Sequence, residues 1–178
     1  INAELLEETI GDLKSEGINA QGGIFDAANI DDAPRFVAAV KEAHGRIDVL
    51  VNNAGAVKVE PFPNVSEENW DWTMNLNLKG AFFLIQEAAK PMIDQQSGNI
   101  VNIASIAGTF GGPTSSPSYA AAKAGLVNLT TVAAAVLAQY KIRVNAIAPG
   151  IINTPFHAPV DLAIGQEQLG LAPGEHIN

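Results

Sequence analysis

Short apolar strands alternating with long helices predict an α/β chain, a doubly wound parallel sheet with helices on both faces. Three observations lead there. Ile47–Val51, residues 99–104 and Ile142–Ile147 are apolar runs of strand length. Helix-period segments separate them, and parallel pairing requires such crossovers. Each run also turns polar where it ends, at Asn52–Gly55, at Ser105 and at Pro149–Thr154. Ligands of open α/β sheets gather beyond those carboxyl ends.

Taken in order, residues 3–16 read as a helix, with Leu5, Leu6, Ile10 and Leu13 as its apolar positions and Gly17 as its stop. Residues 18–25 read as a short strand ending at Asp26. Asp31 is placed to cap a second helix that has Pro34 in its first turn, Phe36, Val37 and Val40 facing inward, and Gly45 at its end. Ile47–Val51 looks like a strand buried on both faces. Ser66, followed by Glu67 and Glu68, marks the start of a helix continuing through Phe83 to about Ala89. Residues 99–104 form the next strand, 119–139 an Ala-rich helix, and 142–147 the last strand. The whole predicts one domain over 1–178, with 155–178 as a substrate flap or a disordered, broken segment.

The 178 residues are 47% hydrophobic and 16% charged, a globular balance rather than a disordered one. A net charge of −9, spread along the chain, disfavours nucleic acid and anionic membrane as partners. Backbone amides can still hold a phosphate-bearing cofactor. With no cysteine there is neither a disulfide framework nor a thiolate metal site. His44, His157 and His176 lie too far apart for a zinc motif, so no metal is predicted. The apolar stretches are broken by Asn, Gln or Lys short of the ~20 residues of a membrane span. Ile1-Asn2-Ala3-Glu4 is unlike a signal peptide. A soluble, cytoplasmic protein is the expectation.

The chemistry centres on Tyr119-Ala-Ala-Ala-Lys123. Positions i and i+4 share a helix face, so phenol and ammonium can address one cavity. A free phenol titrates near ~10 and is a poor base at neutrality. An ammonium ~4 Å away stabilises phenolate by ~4 kcal/mol at an effective dielectric of ~20, enough to bring it close to neutrality. The same spacing also suits an ordinary surface helix. Ser105, at the end of a strand, changes the balance, because its hydroxyl and that of Tyr119 can meet across the mouth of the sheet. There they would both donate to one carbonyl oxygen.

Five ordered segments resemble the short-chain dehydrogenase/reductase family. They are Asn52-Asn53-Ala54-Gly55; Asn77-Leu78-Lys79-Gly80; Asn102-Ile103-Ala104-Ser105 with Gly108; Ser118-Tyr119-Ala-Ala-Ala-Lys123-Ala-Gly125; and the run from Arg143 through Asn145, Pro149 and Gly150 to Thr154. The resemblance covers residues 3–156. It implies a Rossmann-like fold and an oxidoreductase interconverting a secondary alcohol and a ketone with NAD or NADP, the choice between them open. Tyr119 would be the general acid/base, Ser105 would hold the substrate oxygen, and Lys123 would lower the tyrosine pKa and bind ribose hydroxyls. Asn77 would stand in a locally opened helix whose backbone holds a relay water. Asp26 would face adenine, with Asn53, Ala54 and Gly55 along the adenosine side. Beyond Pro149 and Gly150, the Ile152 backbone and the Thr154 hydroxyl would grip the carboxamide. Asn52 fits better as a tie between strands than as a ligand contact. Asp26 alone fits a strand-end turn, and Gly150 a simple turn after Pro149.

The resemblance also sets departures. The family's opening strand, its Thr-Gly-xxx-Gly-x-Gly turn and its closing strand find no match, so the fold is expected to be incomplete at both ends. Ser105 and Tyr119 stand 14 positions apart, one more than is commonest, and Val136 replaces a frequent Glu. The helices around 66–89 and 119–139 resemble those that join family subunits, which implies a homodimer or homotetramer. Loops 109–118 and 155–165, with Phe110 and Phe156, are the expected border of a pocket for a small alcohol or ketone. A catalytically inactive fragment or interaction subunit is the alternative. A serine hydrolase is remote, since Ser105 lacks a GxSxG elbow.

Overall fold

A computed structural model of the chain describes residues 2–110 and 116–152. The first helix, α1 (Ala3–Ser15), is capped by Asn2, whose side chain accepts from the Leu5 amide at 3.1 Å. Gly17 follows it in the left-handed region at φ 79°, as its place after the last apolar turn predicts. No residue of α1 is buried; Leu6 and Ile10 lie against Gly22 in the segment that follows.

That segment departs from expectation, because residues 18–25 form no strand. A strand exists by pairing, and no neighbour lies beside this stretch among the described residues. Its backbone bonds locally instead, Ile18 N to the Leu13 carbonyl and Ala20 N to the Ile18 carbonyl, each at 2.9 Å. Helix α2 (Asp32–His44) ends on Gly45 at φ 74°. Asp31 occupies its N-cap position without a capping bond. Asp32 takes over the polar work there, accepting from the Asp26 amide at 3.1 Å and the Asn29 side chain at 3.2 Å.

Strands β1 (Val49–Asn52), β2 (Gly98–Ile103) and β3 (Ile142–Ile147) form a parallel sheet in that spatial order. Leu50 and Asn52 pair with Ile100 and Asn102, which pair in turn with Val144 and Ala146. Gln95 secures the approach to β1, its side-chain amide exchanging both hydrogen bonds with Ile47 at 2.9 and 2.7 Å.

Between β1 and β2 run α3 (Glu67–Met74), a π-helical turn (Asn75–Lys79) and α4 (Gly80–Gln95). Ser66 caps α3 through the Asn69 amide at 3.2 Å. The helix continues beyond Ala89 through Pro91, because Met92 behind it is fully buried and carries the apolar face onward. Helix α5 (Pro117–Leu137) connects β2 to β3 and packs on both. The core gathers Val37 of α2, Ile85, Ala88 and Met92 of α4, Ile100 and Val144 of the sheet, and Ala133 and Leu137 of α5. On the opposite sheet face Val49 and Val51 are each 55% exposed, so β1 is buried on one face rather than both.

The segment Pro117–Tyr140 is long and apolar enough to cross a membrane by length and composition. Its buried Lys123 and Thr130 and its packing on β3 make it a core helix of this fold.

Candidate active site

The polar ends of the strands converge as their sequence placement predicts. Ser105 follows β2, and its Oγ accepts from the Ala107 amide at 3.1 Å, capping the short turn Ile106–Gly108. Gly108 permits that turn to lie directly on α5, since a Cβ there would sit 2.5 Å from the Lys123 carbonyl carbon and 2.6 Å from the Ala124 amide nitrogen. The Ile106 amide donates to the Pro149 carbonyl at 3.0 Å, which draws the chain after β3 to the same place. Ser105 thereby stands beside α5, and its hydroxyl hydrogen-bonds the Tyr119 side chain.

Lys123 lies one turn beyond Tyr119, with only 3% of its surface exposed. Its ammonium donates to the Ile103 carbonyl at 2.7 Å and sits 5.6 Å from the centre of the Tyr119 ring. Burial lowers the Lys123 pKa to about 8, because desolvation disfavours the charged form. The Tyr119 phenol moves the other way. Burial raises its pKa, and the Ser105 hydrogen bond only partly opposes the rise. This corrects the expectation of an ammonium that makes the phenol acidic. The ammonium lies over the ring and is committed to a carbonyl, so burial decides the direction.

Asn77 occupies the π-helical turn, 1% exposed. Its Nδ2 donates to the Ala56 carbonyl at 2.9 Å and to the Thr73 carbonyl at 3.0 Å, while its buried Oδ1 has no partner among the described residues. Gly55 lies between Asn77 and Lys123. A Cβ at Gly55 would meet Asn77 Oδ1 at 2.7 Å and Lys123 Nζ at 3.4 Å. The backbone after β1 therefore passes closely over both side chains only because this residue has none.

Four predicted residues thus assemble with Gly55: Asn77, Ser105, Tyr119 and Lys123. Pro149 joins through its carbonyl, and Gly150 and Ile152 follow it, both exposed. Asn53 and Ala54 are exposed on the loop leading to Gly55. Asp26 stands apart in an exposed turn, its carboxylate accepting from the Ala28 amide at 2.9 Å, with no hydrogen bond to the group around Tyr119. Thr154 and Phe156 lie outside the described residues, and Phe110 is 80% exposed.

Asn52 does join strands. Its Nδ2 donates to Asn102 Oδ1 at 2.9 Å, and Asn102 Nδ2 donates to Thr130 Oγ1 of α5 at 2.9 Å. Sequence reasoning missed Asn69, Thr73 and Ser116, which are 3%, 0% and 5% exposed. The spacing Asn69, Thr73, Asn77 was the available signal, since it sets three polar side chains on one helical stripe. No cluster of metal-ligating side chains occurs among the described residues.

Comparison with known proteins bears on the family and the fold. The family model for short chain dehydrogenases matches residues 1–164. The chain is 39% identical over 159 residues to 3-oxoacyl-(acyl-carrier-protein) reductase FabG of Thermotoga maritima, covering 87% of this chain and 64% of that protein. It is 40% identical over 155 residues to BbsD of Thauera aromatica, a hydroxy(phenyl)methylsuccinyl-CoA dehydrogenase subunit, covering 87% and 62%. The chain therefore spans less than two thirds of either relative. Among solved structures, NAD+-bound xylitol dehydrogenase superposes with a TM-score of 0.85 at 30% identity, covering 95% of this chain and 71% of that one. The Rossmann-like α/β architecture is shared with it. By its sequence match and its fold, this chain belongs to the short-chain dehydrogenase family of oxidoreductases.

Proposed function

We propose that the protein interconverts a secondary alcohol and a ketone with a nicotinamide cofactor, Tyr119 being the residue that exchanges the proton. The single observation that carries this reading is the convergence of Ser105, Tyr119 and Lys123, delivered by β2 and α5 to one end of the sheet.

The chemistry follows from the state of each group. Burial keeps the Tyr119 phenol protonated at neutral pH, which suits donation to the oxygen of a carbonyl substrate. Ser105 supplies a second hydroxyl that holds and polarises that oxygen. Lys123 brings the positive charge, and its pKa of about 8 lets it gain or lose a proton near neutrality. In the oxidative direction the same phenol, once deprotonated, removes the hydroxyl proton of the alcohol. Asn77, with a buried oxygen that has no partner among the described residues, fits a place beside the proton path.

The residues also fit the nicotinamide end of a cofactor. The gap left by Gly55 brings backbone to within reach of the Lys123 ammonium, a donor suited to ribose hydroxyls. Such a cofactor supplies hydride, which no protein side chain here can carry. NAD and NADP are both compatible with these contacts. Asn53, Ala54, Asp26, Pro149, Gly150, Ile152 and Thr154 remain its proposed contacts on the adenosine and carboxamide sides.

Two relatives carry thioester substrates in their names, so 3-oxoacyl or hydroxyacyl thioesters are the first substrate class to try. We place the protein in the cytoplasm, on its net charge of −9 and the core packing of α5. A homodimer or homotetramer is proposed to form through the exposed α4–α5 face, where Phe82 is 40% and Val132 53% exposed. The reading is tested by following nicotinamide absorbance as the full protein meets ketones, alcohols and acyl thioesters with each cofactor. Turnover supports it. No turnover together with no binding of either cofactor would instead favour the inactive fragment or interaction subunit.

A further inference from the structure

A stripe of buried polar side chains runs beneath the loop after β1; it ends at Asn77, and its other two members, Asn69 and Thr73, stand outside the group proposed to meet the reacting atoms. Asn69 and Thr73 of α3 and Asn77 of the π-helical turn stand at successive four-residue intervals, 3%, 0% and 1% exposed. Each is tied to the next. Thr73 Oγ1 donates to Asn69 Oδ1 at 3.1 Å, and Asn77 Nδ2 donates to the Thr73 carbonyl at 3.0 Å.

The stripe grips the loop at two carbonyls. Asn77 Nδ2 holds Ala56 at 2.9 Å, and Asn69 Nδ2 holds Lys58 at 3.2 Å. The Lys58 carbonyl receives a second bond, from Ser116 Oγ at 3.3 Å, and Ser116 in turn lies 3.3 Å from the fully buried Ser118 hydroxyl. Ser116 and Ser118 open the helix that bears Tyr119 and Lys123. The loop held in this way begins with Gly55, whose backbone clears Asn77 Oδ1 and Lys123 Nζ only narrowly.

Buried polar groups cost free energy unless paired, and an apolar stripe would pack this helix as well. Registering a loop needs directional bonds, which apolar contacts do not supply. We infer that Asn69 and Thr73 are positioning residues: Asn69 holds the Lys58 carbonyl and the Thr73 hydroxyl orients Asn69, so that together they fix the Gly55–Lys58 loop over Lys123 and set the geometry in which cofactor is held. This rests on the proposed function for its consequence in turnover, though not for the clamp itself.

Thr73→Val removes the hydroxyl at nearly constant volume and leaves Asn69 Oδ1 without its donor, whereas Thr73→Ser restores it. Backbone NMR of the full protein reads the clamp independently of catalysis, as conformational exchange in the loop. Resonances of residues 54–59 should show added conformational exchange in Thr73→Val, with β2 unchanged and Thr73→Ser as wild type. Steady-state kinetics read the consequence: cofactor KM should rise roughly tenfold while kcat at saturation stays within about twofold. Unchanged loop exchange overturns the clamp. Added exchange with unchanged cofactor KM, or a loss confined to thermal stability, overturns the positioning role. A wild-type protein that turns nothing over refutes the proposed function instead, and the exchange data still decide the clamp.

Discussion

The three groups at the head of α5 and the end of β2 carry different electrostatic burdens. Lys123 is held at a cost, since its ammonium is buried and, among the described residues, its hydrogen bond is to the Ile103 carbonyl. Below pH about 8 it is charged in both folded and unfolded chains, so the whole desolvation penalty is present there. Between that value and 10.5 the unfolded chain holds the proton and the folded chain releases it, so stability rises with pH. Lys123→Met removes the penalty and forfeits a hydrogen bond. It should be more stable than wild type by about 1–2 kcal/mol at pH 6–7, the gain fading as pH climbs towards the normal lysine value, and it should be inactive. Thermal melts across pH check this, and a variant less stable than wild type at pH 6 would contradict it. Such a trade of stability for chemistry is what a functional lysine in a core looks like. The same burial acts on Tyr119 with opposite sign, so in the proposed reaction proton donation would be available throughout the neutral range and oxidation would gain as pH rises. The identity of these groups was legible in the sequence, because Ser105 ends a strand and Tyr119 and Lys123 share a helix face. Their charge states were not, because a spacing fixes which side chains meet without fixing how much water they lose.

At the scale of the element, legibility follows locality. The bounds of β3 could be read directly, because Ile142 and Val144 alternate with Arg143 and Asn145, and the structure buries the first pair and exposes the second. Helix α1 stops before Gly17 and α2 at Gly45 for an equally local reason. Residues 18–25 show the limit, since Ile18, Ile24 and Phe25 give a strand-like composition while pairing depends on a neighbour elsewhere. The π-helical turn at Asn75–Lys79 is a second limit. An extra residue per turn leaves no mark in hydrophobic period, and only the resemblance around Asn77 pointed to an opened helix there. Asn69 and Thr73 were passed over because isolated polar residues on a helix read as solvent-facing, and only the fold shows them beneath a loop.

The whole molecule presents a polarised body, with the α2, α4 and α5 side of the sheet closed into a core and the α4–α5 outer surface open. Met74, Leu78, Phe82, Leu129 and Val132 line a shallow groove along that outer surface. Small residues such as Gly125 and the alanines of α5 allow a second helix pair to approach closely. If this face joins subunits, Val132→Glu places two like charges within each two-fold apolar contact. The expected result is loss of that contact, a dimer falling to monomer or a tetramer to dimer, at roughly 2–4 kcal/mol per contact, seen by light scattering of the full protein. An unchanged mass for the variant would remove this face from the assembly. The Asn52–Asn102–Thr130 chain adds a tie of another kind, running from β1 through β2 to α5 inside one subunit. It keeps the ends of the two strands and the helix in the register on which the site depends.

All of this converges on the hydroxyl of Tyr119. Its replacement by Phe leaves the ring and the neighbouring packing in place and removes only the hydroxyl proposed to exchange the proton. Turnover of the full protein, measured with saturating nicotinamide cofactor and its best ketone or alcohol, should fall by about 10²- to 10⁴-fold while cofactor binding stays near wild type. A Tyr119→Phe protein that turns over at close to the wild-type rate would contradict the account.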